Sequence, residues 1–376
     1  MRLAKPVPMM LHKQPASFQL LAQLLRKAPD QAALLILGYD LDLFDAEIPD
    51  FAVQTGITEA ELRQLAEDAR KGQDSGQPKV PEQHLVSKVL LRQFCARSSI
   101  GLRMGRYSLK WGKAAPVSPE TVAKVINFVK IDSRSTEEVW GKTESKLPSA
   151  LEAAVNGSLF GDSNKVQVIK DTIALHYARS YAVVESHDDI WRNGLDAHRQ
   201  FLLSHPELLD ALSSMKTGGS TSPPSPESLA QVLDEVTERA RGLYERGTAF
   251  RFRVVGLFES ARQLLSGAGL QILLPATGSE LLIGDSPVIT SDATGHRRGI
   301  AEGVPIGTAR HVFMPLGPHL GVALAASDQD LEVSAAEVQR LNRWEIEAAR
   351  CDVFMRPGSG LAALAEKVRP PTRQVS

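Results

Sequence analysis

Four positions in this sequence carry side chains that could do chemistry together: His84, Glu144, Arg179 and Asp285. An imidazole such as that of His84 can act as base, acid or metal ligand near neutral pH. The plainer reading is a histidine at the start of a helix, bonded to backbone. Glu144 lies one turn beyond Trp140, where a carboxylate could edge a pocket or pair on the surface with Lys142 or Lys146. His176 and Arg179 stand three apart and share a helix face. Arg179 could clamp a phosphate or carboxylate with two hydrogen bonds, or form a buried ion pair between helices. Asp285 sits in Gly284-Asp285-Ser286-Pro287-Val288, a turn after the apolar run Leu281-Leu282-Ile283, where a ligand or base is commonly placed. The Gly-x-Ser start of that turn is not a nucleophile elbow. The second glycine is missing, and Pro287 has no N–H to offer an oxyanion.

Three further spots are set aside. In His187-Asp188-Asp189, adjacent helical residues do not face one another, so they make a poor chelate. His296-Arg297-Arg298 falls in a Gly-rich loop and reads as solvated. Gly358-Ser359-Gly360, before a short helix, lacks the Gly-Lys-Ser/Thr ending of a phosphate loop.

The elements that must position these residues follow from periodicity and caps. A helix is expected from His84 to Ala96, with Leu85, Val89 and Leu90 on one side. Alternation from Met104 to Trp111 predicts a strand. Ser118-Pro119-Glu120 reads as the start of a helix. The capping box Ser135-Thr136-Glu137-Glu138 opens another, which breaks at Pro148 and closes at Asn156-Gly157. A long helix is expected over 163–185, with Val166, Ile169, Ile173 and Tyr177 as its core stripe. Short apolar runs at 271–275, 281–290, 311–315 and 320–325 read as strands. Ser334 caps a final helix through Arg350, Asp352 to Met355 closes as a strand, and the tail after Gly358 reads as frayed. The chain is therefore expected to be a helix-rich α+β protein. Its mixed or antiparallel sheet uses a hairpin near 100–115 and C-terminal strands, and the middle is helical.

The first eighty residues read as a small helical unit, with Phe18, Leu21, Leu24 and Leu25 at helical spacing and a capping box at Thr58-Glu59-Ala60-Glu61. Lys71 to Pro81 reads as a linker, giving units 1–78 and 79–376. Thr55 to Leu62 has the look of a turn into a recognition helix. The acids Glu59, Glu61, Glu67 and Asp68 on that helix would repel a phosphate backbone, so a packing unit is preferred. Thr217 to Pro226 is a Gly/Ser/Pro loop, followed by a helix to about Tyr244.

The net charge of the 376 residues is −1, so no global field draws the chain to nucleic acid or anionic lipid; nucleic acid stays open as a partner only through a local patch. Hydrophobic residues make up 43%, normal for a globular chain, and no apolar run is long enough to span a bilayer. Two cysteines, Cys95 and Cys351, build no disulfide framework, which suits a reducing, cytoplasmic compartment.

From about Gln83 to Pro357 the ordered motifs resemble the bacterial domain-of-unknown-function family 4238. The matching elements are His84, Val86, Leu91, Arg92 and Phe94; Trp140 and Glu144; Arg179 and Ser180; Gly284 to Val288; Met314 to Pro318; and Leu341 to Trp344. Ser87 stands where the family has proline, Ser286 where it has asparagine and Gly317 where it has serine. The resemblance implies an order of elements and a group of positions, not a reaction. On it, His84, Glu144 and Asp285 are the expected catalytic set, with Arg179, Arg92 and His176 as substrate contacts. A divalent metal could be held among them. The expected activity is hydrolytic, on a phosphate-bearing or nucleic-acid substrate. Two other readings stay open: a non-catalytic interaction protein of a bacterial defence or regulatory locus, and a buried polar network that holds helices to the sheet.

Overall fold

The computed structural model describes residues 82–130, 133–189 and 244–369, with isolated positions elsewhere. The expected helices at 18–25 and 58–69, the recognition-helix segment, the linker at 71–81, the loop at 217–226 and the helix after it lie outside those ranges. The chain divides into two compact units, Met1–Gln77 with Asp189–Arg253 and Pro78–Asp188 with Val254–Ser376. The elements below belong to the second, apart from the first residues of one helix and the last of another.

The fold is α+β. The first strand, β1 (Glu82–His84), pairs antiparallel with β5 (Lys124–Ile126), and His84 faces Lys124 across the pair. This corrects the expected helix start at His84. Ser87 caps the helix instead, its hydroxyl accepting the Leu90 N–H, so that α1 is only Lys88–Gln93. Leu90 and Leu91 of α1 are buried. A second correction concerns Ser118-Pro119-Glu120. The Ser118 hydroxyl accepts the Glu120 N–H, a local turn that competes with a helix, and the chain runs on extended into β5.

Two larger sheets follow. In one, β2 (Ala96–Ser98), β3 (Gly101–Ser108), β12 (Asp352–Met355) and β7 (Ile283–Gly284) lie in that order. β4 (Lys113–Val117) pairs with the outer part of β3 as the expected hairpin. In the other, the order is β11 (Gln329–Val333), β6 (Gly269–Pro275), β10 (Leu320–Ala325), β9 (His311–Gly317) and β8 (Ile289–Ser291); only β11 and β6 are parallel.

Helices α2 (Ser133–Glu144), α3 (Leu147–Val155) and α4 (Ser163–Ala178) form the helical middle. Pro148 falls in the first turn of α3, where its missing N–H costs nothing, so the break comes at Ser145–Lys146 rather than at the proline. Asp162 caps α4 by accepting the N–H groups of Asn164 and Lys165. The expected long helix is two: α4 stops at Ala178, and a separate helical segment covers 181–189. Helix α5 (Thr248–Ser266) ties back to α4 through Arg262 and Asp171, 3.1 Å apart.

Helix α6 (Ala335–Ala348), capped by Ser334, lies between the two sheets. Val338, Leu341 and Trp344 pack with Leu281, Ile289 and Phe313, while Ile346 packs with Leu282, Tyr107 and Val353. Gly284 permits this closeness. A Cβ there would stand 3.1 Å from the Glu345 carbonyl oxygen and from the Ala349 methyl. The tail expected to fray instead forms α7 (Leu361–Val368), whose Leu361, Leu364 and Val368 cover the Tyr107 cluster and whose Ala365 is fully buried in it. Ala365→Asp should therefore destabilise the fold by at least ~2 kcal/mol in urea denaturation; an unchanged midpoint would show that this helix does not dock.

Candidate functional site

The C-terminal end of α4 organises the polar group. Arg179 leaves the helix with φ −94° and ψ 66°. Its side chain is almost wholly buried. The Nε–H donates to the carbonyl of Leu85 at 3.2 Å, an Nη–H donates to the Glu144 carboxylate, and the guanidinium lies 5.0 Å from the centre of the Trp140 ring. One turn earlier, His176 has no exposed surface. Its Nε2 accepts the Ser87 N–H at 3.1 Å, which leaves Nδ1 to donate to the Thr172 carbonyl at 2.9 Å. That pairing fixes a neutral tautomer. Burial, with the Arg179 charge, pulls the His176 pKa down to about 4.

Arg179 and His176 thus grip Leu85 and Ser87, on either side of Val86, and hold the β1–α1 connection against α4. His84 is carried into the same group. It is half-buried, and its Nε2 is buried without a hydrogen-bond partner. Burial, then the charges of Lys88, Lys124 and Arg179, bring its pKa down to about 4, against the pull of Glu144. At neutral pH the ring is an uncharged imidazole, able to take a proton or to donate one hydrogen bond.

Sequence reasoning missed one member. Glu137, treated as a capping-box acid, lies three residues before Trp140 and seven before Glu144, on the same face of α2, two turns or about 10 Å from Glu144. It is partly buried, and its Oε1 has no partner within hydrogen-bond geometry, although the Gln83 amide, whose Nε2 is likewise unpartnered, is near enough to lower its pKa. The two carboxylates are tuned apart. Burial raises Glu137, and the Glu144 charge adds to that against Arg179. Burial also acts to raise Glu144, but the charge and hydrogen bond of Arg179 outweigh it and hold the group below the usual range. The i, i+3, i+7 spacing about Trp140 was the available signal.

The other expected residues go elsewhere. Arg92 is exposed and bonds Glu120 at 2.7 Å, with Lys88 3.4 Å from the same carboxylate. Asp285 is not among the partners of His84, Glu144 or Arg179. It is buried, and accepts the N–H groups of Arg350 (2.8 Å), Cys351 (2.7 Å) and Asp352 (3.1 Å). Burial pushes it up to about 6 in spite of those three donors. It fastens the start of β12 to the end of β7. Among the described residues no group of three or more His, Cys, Asp or Glu side chains is placed to hold a metal ion.

These partners give two expectations. Arg179→Met strands the Leu85 carbonyl and leaves Glu144 without its cation. It should cost about 3–5 kcal/mol in urea denaturation; a loss under 1 kcal/mol, on the order of an exposed pair, would mean that the contact is peripheral. The second concerns pH. His176 is neutral in the fold and titrates about 6.5 when unfolded, so its contribution is complete above about 6.5 and drains away as pH falls toward about 4, by roughly 3 kcal/mol. Asp285 and Glu345, whose pKa values are raised, act in the opposite sense over part of that range. The test is therefore the difference in stability between the wild type and His176→Gln, which should shrink by that amount from pH 7 to pH 4; a constant difference would refute the assignment.

No curated protein and no solved structure matches the chain. A family model does, over residues 82–359, and that span contains every residue of the group just described. With most of its length matched, the chain belongs to the family described as protein of unknown function, DUF4238.

Proposed function

We propose that the chain is a hydrolase-type enzyme acting on a phosphate-bearing substrate, nucleic acid included, at the position held by His84, Glu137 and Glu144. One observation carries this reading: a neutral, half-buried imidazole with an unpartnered Nε2 feels the Glu144 carboxylate, and Glu144 and Arg179 in turn act on Glu137, a second carboxylate tuned the opposite way. Groups whose environments push their pKa values apart are the usual source of a base and an acid in one site. His84 would take a proton from the attacking water. Glu137, the carboxyl with raised pKa, is the better placed of the two to return one to the leaving group. Glu144 stays ionised and keeps Arg179 in place, so Arg179 acts as a support rather than as the anion clamp. The case for phosphate rests on Lys88 and Lys124, both close enough to lower the His84 pKa. Their partners Glu120 and Glu82 are substantially exposed, and such pairs exchange at little cost, so a phosphate could take either lysine.

A second reading is favoured by the commitment of Arg179 and His176 to backbone groups: a polar lock in a non-catalytic interaction protein of a defence or regulatory locus. The cytoplasmic placement belongs with either. Cys95 and Cys351 are free thiols, and among the described residues no helix is long and apolar enough to cross a membrane.

The deciding assay incubates the full chain with p-nitrophenyl phosphate, bis-p-nitrophenyl phosphate and a fluorogenic oligoribonucleotide, with and without magnesium. Turnover of at least one is expected, falling ~100-fold or more in His84→Ala while the unfolding temperature holds. An inert wild type, or a His84→Ala protein at full rate, would favour the lock.

A further inference from the structure

The turn that carries Asp285 also borders a cavity that plays no part in the site above. Asp285 is fastened to residues 350–352, and this sets the two neighbours it separates. Ser286 follows it in the chain, and Arg350 donates its backbone N–H to the Asp285 carboxylate. Both line a cavity of about 230 Å³. Ser286 is 5% exposed, and its Oγ has no hydrogen-bond partner. The same cavity reaches Ser180 and Ala182, where the helical segment 181–189 begins. The Val183 and Val184 N–H groups turn back to the Ser180 carbonyl, and the first amides of a helix have no partner within it, so this end favours a negative group.

Both signs of charge meet in the lining. Arg298 is bonded to Glu347, and Arg350 holds Glu185 at 2.8 Å. Glu302 also lines the cavity, its carboxylate accepting the Arg298 backbone N–H at 2.8 Å. The walls between are apolar, from Val288 and Ile300.

We propose that this cavity binds a small zwitterion of amino-acid size. Size argues first. Pockets for drug-sized ligands run from about 300 Å³ upward, so this one is too small for a nucleotide or a lipid chain. Charge argues next. A carboxylate has Ser286 Oγ, the amides opening 181–189 and two guanidinium groups to choose from. An ammonium has Glu302 and Glu347. A ligand bearing one of each exchanges partners with the existing pairs and leaves the net charge of the lining unchanged, whereas a simple anion would face both glutamates uncompensated. The aliphatic wall takes a short apolar side chain.

The test is thermal shift followed by titration calorimetry of the full chain against the standard L-amino acids, inorganic phosphate and succinate. An amino acid with a small or aliphatic side chain should raise the unfolding temperature. Its C-amide and its N-acetyl derivative should each bind at least about tenfold more weakly, and Ser286→Ala about five- to tenfold more weakly. Ser286→Leu, which fills the space, should abolish binding; if that variant fails to fold, Ser286→Ala decides. The proposal is overturned if no amino acid binds, if the blocked derivatives bind as well as the parent, if Ser286→Ala is without effect, or if phosphate or succinate binds more tightly than every amino acid. The cavity lies apart from His84, so inactivity toward phosphoesters leaves this result standing, and the reverse holds too.

Discussion

A guanidinium taken out of water must be neutralised and fully bonded, or it costs several kcal/mol. Arg179 is the residue at which this unit meets that condition. Its three partners come from two places in the chain: a carboxylate and an indole from α2, and a backbone carbonyl beyond β1. Satisfying all three requires the side chain to leave the helical path. The backbone turns with it, and α4 ends at Ala178 instead of running on. Two consequences follow from the one break. On one side, Leu85 and Ser87 are pinned and His84 is set in an electrostatic group with Glu137 and Glu144. On the other, a new helix must start at 181, and its opening amides border the cavity near Ser286.

The C-terminal half solves a related problem with acids. Glu345 and Asp285 are both fully or nearly fully buried, and each accepts backbone N–H groups, from Gly284 in one case and from residues 350–352 in the other. Burial raises both pKa values, with the Asp285 charge adding to the rise of Glu345 and the Asp352 charge to that of Asp285. These bonds join β7, α6 and β12 where Gly284 lets the α6 backbone come close. The neighbourhood is chemically quiet. Burial, then the Asp285 charge, pushes the Cys351 thiol up to about 11, so it offers no thiolate at neutral pH. Asp285 and Cys351 have no unpartnered buried side-chain nitrogen or oxygen; Ser286, one residue on from Asp285, keeps its Oγ idle, as Glu345 keeps one carboxylate oxygen.

What could be seen in the sequence was what short-range chemistry decides. Ser334 before Ala335, Asn156-Gly157 after Val155, and the apolar runs at 320–325 and 352–355 each state their element within a few residues, and each was legible. β1 was not, because its partner strand lies forty residues on; nothing near His84 announces pairing with Lys124. Ser118-Pro119 offered the same letters as a helix start, yet the hydroxyl settled on a turn. A short helix after Gly360 was legible, but its docking was not, because the cluster it covers contains Tyr107 and Val353, of which Tyr107 is far off in sequence. The site divides in the same way. The order of motifs put His84, Glu144 and Arg179 in one group with Asp285, and the i, i+3 spacing added His176; the structure joins Glu144 and His176 to the neighbourhood of Arg179 and His84 and leaves Asp285 out. Asp285 looked equally available because a turn acid after a strand does not reveal that three amides will consume it.

The two readings of the polar group differ in which atoms they leave idle. A lock is complete when every buried donor and acceptor is used, since each orphan costs about 1–3 kcal/mol. Arg179, His176 and Ser87 come close to that standard, for none of them keeps a buried side-chain nitrogen or oxygen with no partner at all. His84 and Glu137 do not, for each keeps a buried atom without a partner while part of the residue remains in reach of solvent. A fold built only to hold helices would gain by replacing either with an apolar residue, at no loss to the contacts of Arg179. On the catalytic reading proposed above, their presence beside the lock is what would separate a site from a clasp, the lock supplying rigidity and these two residues the capacity to bind and to move a proton.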